Sequence, residues 1–129
     1  MAIRWDPPSI EEIIPDLEDT SRLTVCAVRY MVKGNTLFLN IPTTFPDYDK
    51  LDSKKEVYFA DVNDHIFLSL VPITAAKVYT RRIQAFGKVK LTNYFRIPIP
   101  IQLRKAYRLD NAKNAHLIQQ SDKYECIFI

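Results

Sequence analysis

Arg82, Gln84, Lys88, Lys90 and Arg96 are the side chains whose types and spacing could do chemistry in this chain of 129 residues. All five hold even positions, whereas Ile83, Ala85, Val89, Leu91, Phe95, Ile97 and Ile99 are odd. Alternate side chains of an extended strand face opposite ways, so two regular strands here turn a basic face outward and an apolar face inward. A cationic ribbon of that kind neutralises phosphates and releases their counterions. Arg82, Arg96 and Gln84 are also of the types that read base edges in a major groove. Arg104, Lys105 and Arg108 follow on a short predicted helix and add contacts to the nucleic-acid backbone. The plain alternative is a solvated sheet face, because half-buried antiparallel sheets always have a polar side.

The charge is distributed unevenly along the chain. Residues 1–21 carry Arg4 against Asp6, Glu11, Glu12, Asp16, Glu18 and Asp19, a balance of −5. Residues 22–72 hold six basic and six acidic side chains. Residues 73–129 hold eleven basic side chains against Asp110, Asp122 and Glu125, a balance of +8. The basic end is the region that seeks a polyanion. The acidic arm packs along the body or lies over the basic face, and Ser9 with Glu12 has the spacing of a capping box for one helical turn.

Other chemistries find little support. Cys26 and Cys126 stand 100 positions apart with no CxxC pair, and His65 and His116 are the only histidines, so neither a metal nor another cofactor is expected. Both cysteines read as buried apolar side chains, with a disulfide left open. No phosphate-binding glycine loop or nucleophile motif exists, and the chain has only Gly34 and Gly87, so no enzyme and no small-molecule substrate are expected. His65, beside Asp64, and His116 read as polar residues rather than bases. No apolar run approaches the ~20 residues that cross a bilayer, and Met1–Pro8 is not a signal peptide, so the expectation is an intracellular, cytoplasmic protein with no membrane partner. A hydrophobic fraction of 47% in a chain this long suffices for its own core.

The elements that position these residues repeat. Residues 22–71 laid over residues 80–129 without a gap match at Ala27/Ala85, Asn35/Asn93, Ile41/Ile99, Pro42/Pro100, Leu51/Leu109, Asp52/Asp110, Lys55/Lys113 and Asp64/Asp122. Apolar positions Val25/Ile83, Met31/Val89, Leu37/Phe95, Leu39/Ile97, Phe45/Leu103, Phe59/Leu117 and Leu70/Phe128 keep the same register. Three segments result: an acidic arm at 1–21, a first repeat at 22–72 and a second at 73–129. Each repeat reads as strand, strand, short helix, strand, strand. In the second, 78–91 alternates, Thr92-Asn93 turns, and 94–99 returns to Pro100, whose missing amide ends the ladder and suits a helix start. Leu103, Ala106 and Tyr107 then form one helical face, with Gln102, Arg104, Lys105 and Arg108 opposite. Hairpins turn at Asn63-Asp64 and Ser121-Asp122.

Residues 94–109, YFRIPIPIQLRKAYRL, resemble the SpoVT/AbrB family of swapped-hairpin DNA-binding domains. Arg96, Ile99, Pro100, Leu103, Arg104 and Leu109 fall on that family's pattern of an arginine-bearing strand, Ile-Pro and a short helix. Residues 35–51 resemble a second copy that keeps Ile41 and Pro42 but has neither arginine. The resemblance implies a mainly β, swapped-hairpin barrel with short helices, formed here by two repeats on one chain, similar to the arrangement of the MraZ proteins. It implies double-stranded DNA as partner and transcriptional regulation as function.

In the first repeat the outward positions are instead largely apolar. A strand apolar on both faces is usually covered on both. Either the arm or a second copy covers it; the expectation is a homodimer with Cys26, Val28, Tyr30, Val32 and Phe38 as its interface, and Arg82, Gln84, Lys88, Lys90, Arg96, Arg104, Lys105 and Arg108 as the DNA-binding set. Two alternatives stand beside this reading: a protein-docking module, antitoxin-like or otherwise, that uses the basic half, and RNA binding.

Overall fold

The computed structural model describes residues 23–89 and 92–129, except for the side chains of 87–89, 92 and 93. The arm at 1–21, its capping box and Lys90 lie outside the described residues. Nine strands account for most of the rest: β1 (Leu23–Met31), β2 (Thr36–Ile41), β3 (Glu56–Val62), β4 (His65–Ser69), β5 (Val78–Arg82), β6 (Gln84–Val89), β7 (Thr92–Pro98), β8 (Asn114–Gln120) and β9 (Lys123–Phe128). One α-helix, α1 (Ile101–Tyr107), and 3-10 turns at Tyr48–Lys50 and Leu109–Asn111 complete the described elements. They join into one antiparallel sheet ordered β5-β3-β4-β9-β8-β1-β2-β7-β6. Only Ile83 separates β5 from β6 in the chain, yet these strands sit at opposite ends of that order. The covalent chain thus joins the two edges, and the sheet is a nearly closed, barrel-like structure.

Local sequence accounts for the turns. Asn63 and Asp64 both take positive φ, 49° and 63°, as a two-residue hairpin of the twist-matching kind requires. Gly34 (φ 88°) and Asn35 (φ 48°) do the same work between β1 and β2. Ser121, the counterpart of Asn63 one repeat later, has φ 59°.

The pairing has an internal two-fold relation. Leu39 faces Ile97 and Phe67 faces Glu125, and in both pairs the partners stand 58 positions apart. Around the first, Phe38↔Pro98 mirrors Asn40↔Arg96; around the second, Ile66↔Cys126 mirrors Leu68↔Tyr124. First strands are exchanged between the halves: β1 pairs with β8, and β5 pairs with β3. The core collects matched positions from both halves, among them Leu37, Leu39, Ile41, Phe45, Leu51 and Phe59 with Phe95, Ile97, Ile99, Leu103, Leu109 and Leu117.

The gapless repeat needs one correction. Val28 N–H donates to Lys113 O at 2.9 Å and Ile83 N–H to Lys55 O at 3.0 Å. The two lysines are 58 positions apart, but Val28 and Ile83 are 55 apart. Val28, not Val25, is therefore the structural counterpart of Ile83, and the matches Ala27/Ala85, Asn35/Asn93 and Met31/Val89 are out of register. The second hairpin absorbs the difference: its ladder runs on to Val89↔Thr92, with a register shift between Ala85 and Gly87. Thr92 and Asn93 are strand residues rather than the turn, and the expected strand at 78–91 breaks at Ile83.

Cys26 and Cys126 are both free thiols buried in this core. Burial pushes the Cys26 thiol up to about 12, and Cys126 is raised by burial, by Cys26 and by Glu125. Tyr107 and Tyr124 are raised as well, first by burial and then by their hydrogen bonds to Asp61 and Asp47. Above about pH 8.5 the unfolded chain therefore sheds thiol protons, and near pH 10 phenol protons, that the native chain retains. Stability should fall as pH rises from about 8.5 through 11, read by urea titration at stepped pH. Both thiols should react with a disulfide reagent only as fast as the protein unfolds; prompt native-state labelling would contradict the buried core.

Candidate nucleic-acid interface

Arg96 projects from β7 onto the outer face of the sheet and is held there by its neighbours. Its Nε donates to Gln84 Oε1 at 3.2 Å, and one terminal N–H contacts Met31 Sδ at 3.0 Å. Its guanidinium lies 4.0 Å from the centroid of Phe38 and 5.5 Å from that of Phe86. Arginine favours such packing because its planar cation is weakly hydrated and stacks on aromatic faces. Phe86 in turn stands 6.0 Å from Tyr94 and remains 42% exposed. A cation, two aromatic rings and a thioether thus form one surface strip, and the Gln84–Arg96 pair shares a face as the strand alternation predicts.

Arg82 is exposed on β5, across from Glu56. Arg81 reaches the other way, donating to Gln102 Oε1 of α1 at 3.3 Å. Lys105, three residues on from Gln102, falls on the same helical face and is exposed. The end of β5 and the helix therefore bring Arg81 and Lys105 into one neighbourhood. Arg108 caps α1 in the left-handed conformation, with φ and ψ both 53°, and is exposed. Among the described residues Arg81, Arg82, Arg96, Lys105 and Arg108 make no ion pair.

Even-numbered parity does not carry through to Lys88. Beyond the shift at Ala85/Gly87, Lys88 pairs with odd-numbered Asn93, whereas Gln84 pairs with even-numbered Arg96. A β-bulge inserts one residue and reverses the alternation. A lone glycine inside a strand pattern, Gly87 here, is the signal for it.

Arg104 is not a surface contact. It is 6% exposed, donates through Nε to Asp110 Oδ1 at 3.0 Å and through a terminal N–H to Asn35 O at 2.8 Å, and lies 5.8 Å from the Tyr30 ring. The helix is rotated from the expected orientation: Leu103, Arg104 and Tyr107 turn inward while Ala106 is exposed. The arginine pins the β1–β2 turn to α1, and nothing in the local pattern distinguishes it from Lys105.

The expected dimer surface also changes. Cys26 and Val28 belong to the chain's own core, and Phe38, 5% exposed, lies beneath Arg96. Covering on both faces, read from the pattern as the work of a second copy, is supplied within the chain at these three positions. Tyr30 and Val32 remain exposed, at 49% and 83%, together with Met31 at 37%.

Among the described residues no group of three potential metal ligands is assembled, and no helix is long and apolar enough to cross a membrane. The class that fold and surface define is a mainly β, barrel-like protein with a cation-bearing outer face. Comparison with protein-family models, curated proteins and solved structures finds no match.

Two substitutions separate pinning from charge. Arg104→Ala leaves Asp110 and the Asn35 carbonyl without their partner and should cost about 1–3 kcal/mol. Arg108→Gly relieves a left-handed non-glycine residue and should gain about 0.5–1 kcal/mol. Urea denaturation of the two variants checks both signs; equal and small effects would contradict the assignment.

Proposed function

We propose that this chain binds double-stranded DNA through the outer face of β5–β7 and the adjoining side of α1, and acts as a transcriptional regulator of the SpoVT/AbrB kind. The observation that carries the reading is that Arg81, Arg82, Arg96, Lys105 and Arg108 are free of ion pairs among the described residues, in a half of the chain with a charge of +8. Arg96 is already ordered between Phe38 and Phe86, so less freedom is lost when it meets a phosphate or a guanine edge. Exchange of first strands between two halves, β1 onto β8 and β5 onto β3, is the topology that the family resemblance implies and supports it further. Lys88 adds charge to the same hairpin.

Arg82→Ala combined with Lys105→Ala should leave the fold intact, since both side chains are exposed. Binding to random duplex DNA, followed by fluorescence anisotropy, should weaken uniformly across sequences. Its slope of log affinity against log salt should flatten by about 0.9 for each phosphate that the variant no longer neutralises. An unchanged slope removes this surface from the reading, and preferential competition by structured RNA moves the partner from duplex DNA to RNA.

Tyr30, Met31 and Val32 favour a second feature, self-association through the end of the β1–β2 hairpin, because three adjacent exposed apolar side chains mark contact surfaces more than solvated ones. Val32→Asp should then shift sedimentation equilibrium toward monomer with no loss of stability; a wild-type chain that sediments as a monomer at all concentrations would sink this.

A further inference from the structure

A pocket of about 350 Å³ opens on the side of the barrel where β4 begins and β9 ends, lined by Asp64, His65, Ile66, Tyr107, Leu109, Glu125, Cys126, Ile127 and Phe128. That volume lies within the range of sites for small organic molecules, which combine apolar walls with a few convergent polar groups. Here the walls are Ile66, Leu109, Cys126, Ile127 and Phe128, and the polar groups are Asp64, His65, Tyr107 and Glu125.

The sign of the pocket is opposite to that of the half that supplies most of it. Residues 73–129 carry +8, yet the lining includes two carboxylates and no lysine or arginine. Glu125 is 2% exposed, and its one side-chain partner among the described residues is His65, whose Nδ1 lies 2.8 Å from Oε1. An ionised carboxylate only accepts, so the imidazole N–H donates. Asp61 accepts from the Tyr107 hydroxyl, and burial first, then that hydrogen bond and the charges of Asp61 and Asp64, raise the phenol above its ordinary range. Burying a carboxylate is costly unless a cation or several donors face it, and one half-exposed histidine supplies a single donor.

We infer that this pocket binds a small organic cation, an amine or amidine with an apolar body, whose charged head is taken by Glu125 and Asp64 and whose body packs on Ile66, Leu109 and Phe128. An ammonium brings three donors and a positive charge to the carboxylates. A neutral isostere brings less, and an anion is repelled.

The test uses 4-phenylbutylamine as probe, against 4-phenylbutanol and 4-phenylbutyrate, with the full chain and methyl NMR shifts of Ile66 and Leu109 as readout. Amine should move both methyls saturably, the alcohol should bind at least about tenfold more weakly, and the carboxylate should not bind. Glu125→Gln should weaken the amine by about tenfold or more and narrow its advantage over the alcohol. Should that variant fail to fold, exposed Asp64→Asn must reduce amine affinity alone, and Ile127→Trp, at a 38% exposed wall residue, must block amine and alcohol together by filling the pocket. Equal binding of the three probes, amine binding indifferent to Asp64→Asn and Ile127→Trp, or no shift up to the solubility limit of the amine would overturn the assignment.

Discussion

The first strand of each half pairs across to the other half, β1 in addition to its own hairpin with β2, and that exchange is the constraint on which the rest depends. β1 reaches β8 and β5 reaches β3, so neither half can close a sheet alone. The two ladders that join the halves symmetrically, centred on Leu39↔Ile97 and Phe67↔Glu125, hold the exchange in place. Closure follows because β5 and β6 are one chain segment bent at Ile83, which cannot pair in two directions without bringing the two edges of the sheet together.

Where the halves differ, the surface gains its chemistry. Phe38 and Arg96 are related positions, and each lies beside the internal axis, so the arginine stacks on its own counterpart at 4.0 Å. Two arginines at those positions would place like charges against each other; a phenylalanine on one side converts repulsion into cation–π attraction. The helix shows the same divergence. Arg104 is buried against Asp110 and Asn35, whereas the corresponding position in the first half is Pro46, outside any helix. The first half makes only a 3-10 turn at Tyr48–Lys50 there, and the hairpin of that half is held by the arginine of the other.

Much of this was legible in the sequence, and what was not has identifiable causes. Turn residues and alternation located β1, β2 and the hairpins at Asn63-Asp64 and Ser121-Asp122, because those signals are local. The offset of 58 held in the two ladders centred on Leu39↔Ile97 and Phe67↔Glu125 and slipped by three before the second hairpin, since a bulged residue and a longer ladder move register without altering composition. Cys26, Val28 and Phe38 were apolar on both faces for a reason internal to the fold, and periodicity cannot say whether the covering group comes from the same chain. Arg104 and Lys105 are neighbours of like charge; which one is buried depends on a carbonyl 69 positions away, at Asn35. The Glu125–His65 contact spans 60 positions and left no trace in local pattern.

Helix α1 makes the dependence concrete. Seven residues are too few to be stable as a helix in water, so its geometry is set by what its inward side meets. Leu103 enters the core, Arg104 ties it to the β1–β2 turn, and Tyr107 bonds to Asp61 on β3. Those three anchors fix the direction in which Lys105 and Arg108 leave the surface, and they also place Tyr107 and Leu109 in the wall of the acidic pocket. Basic face and acidic pocket are therefore two sides of one short element. Its left-handed cap at Arg108 is the step by which the chain passes from one to the other.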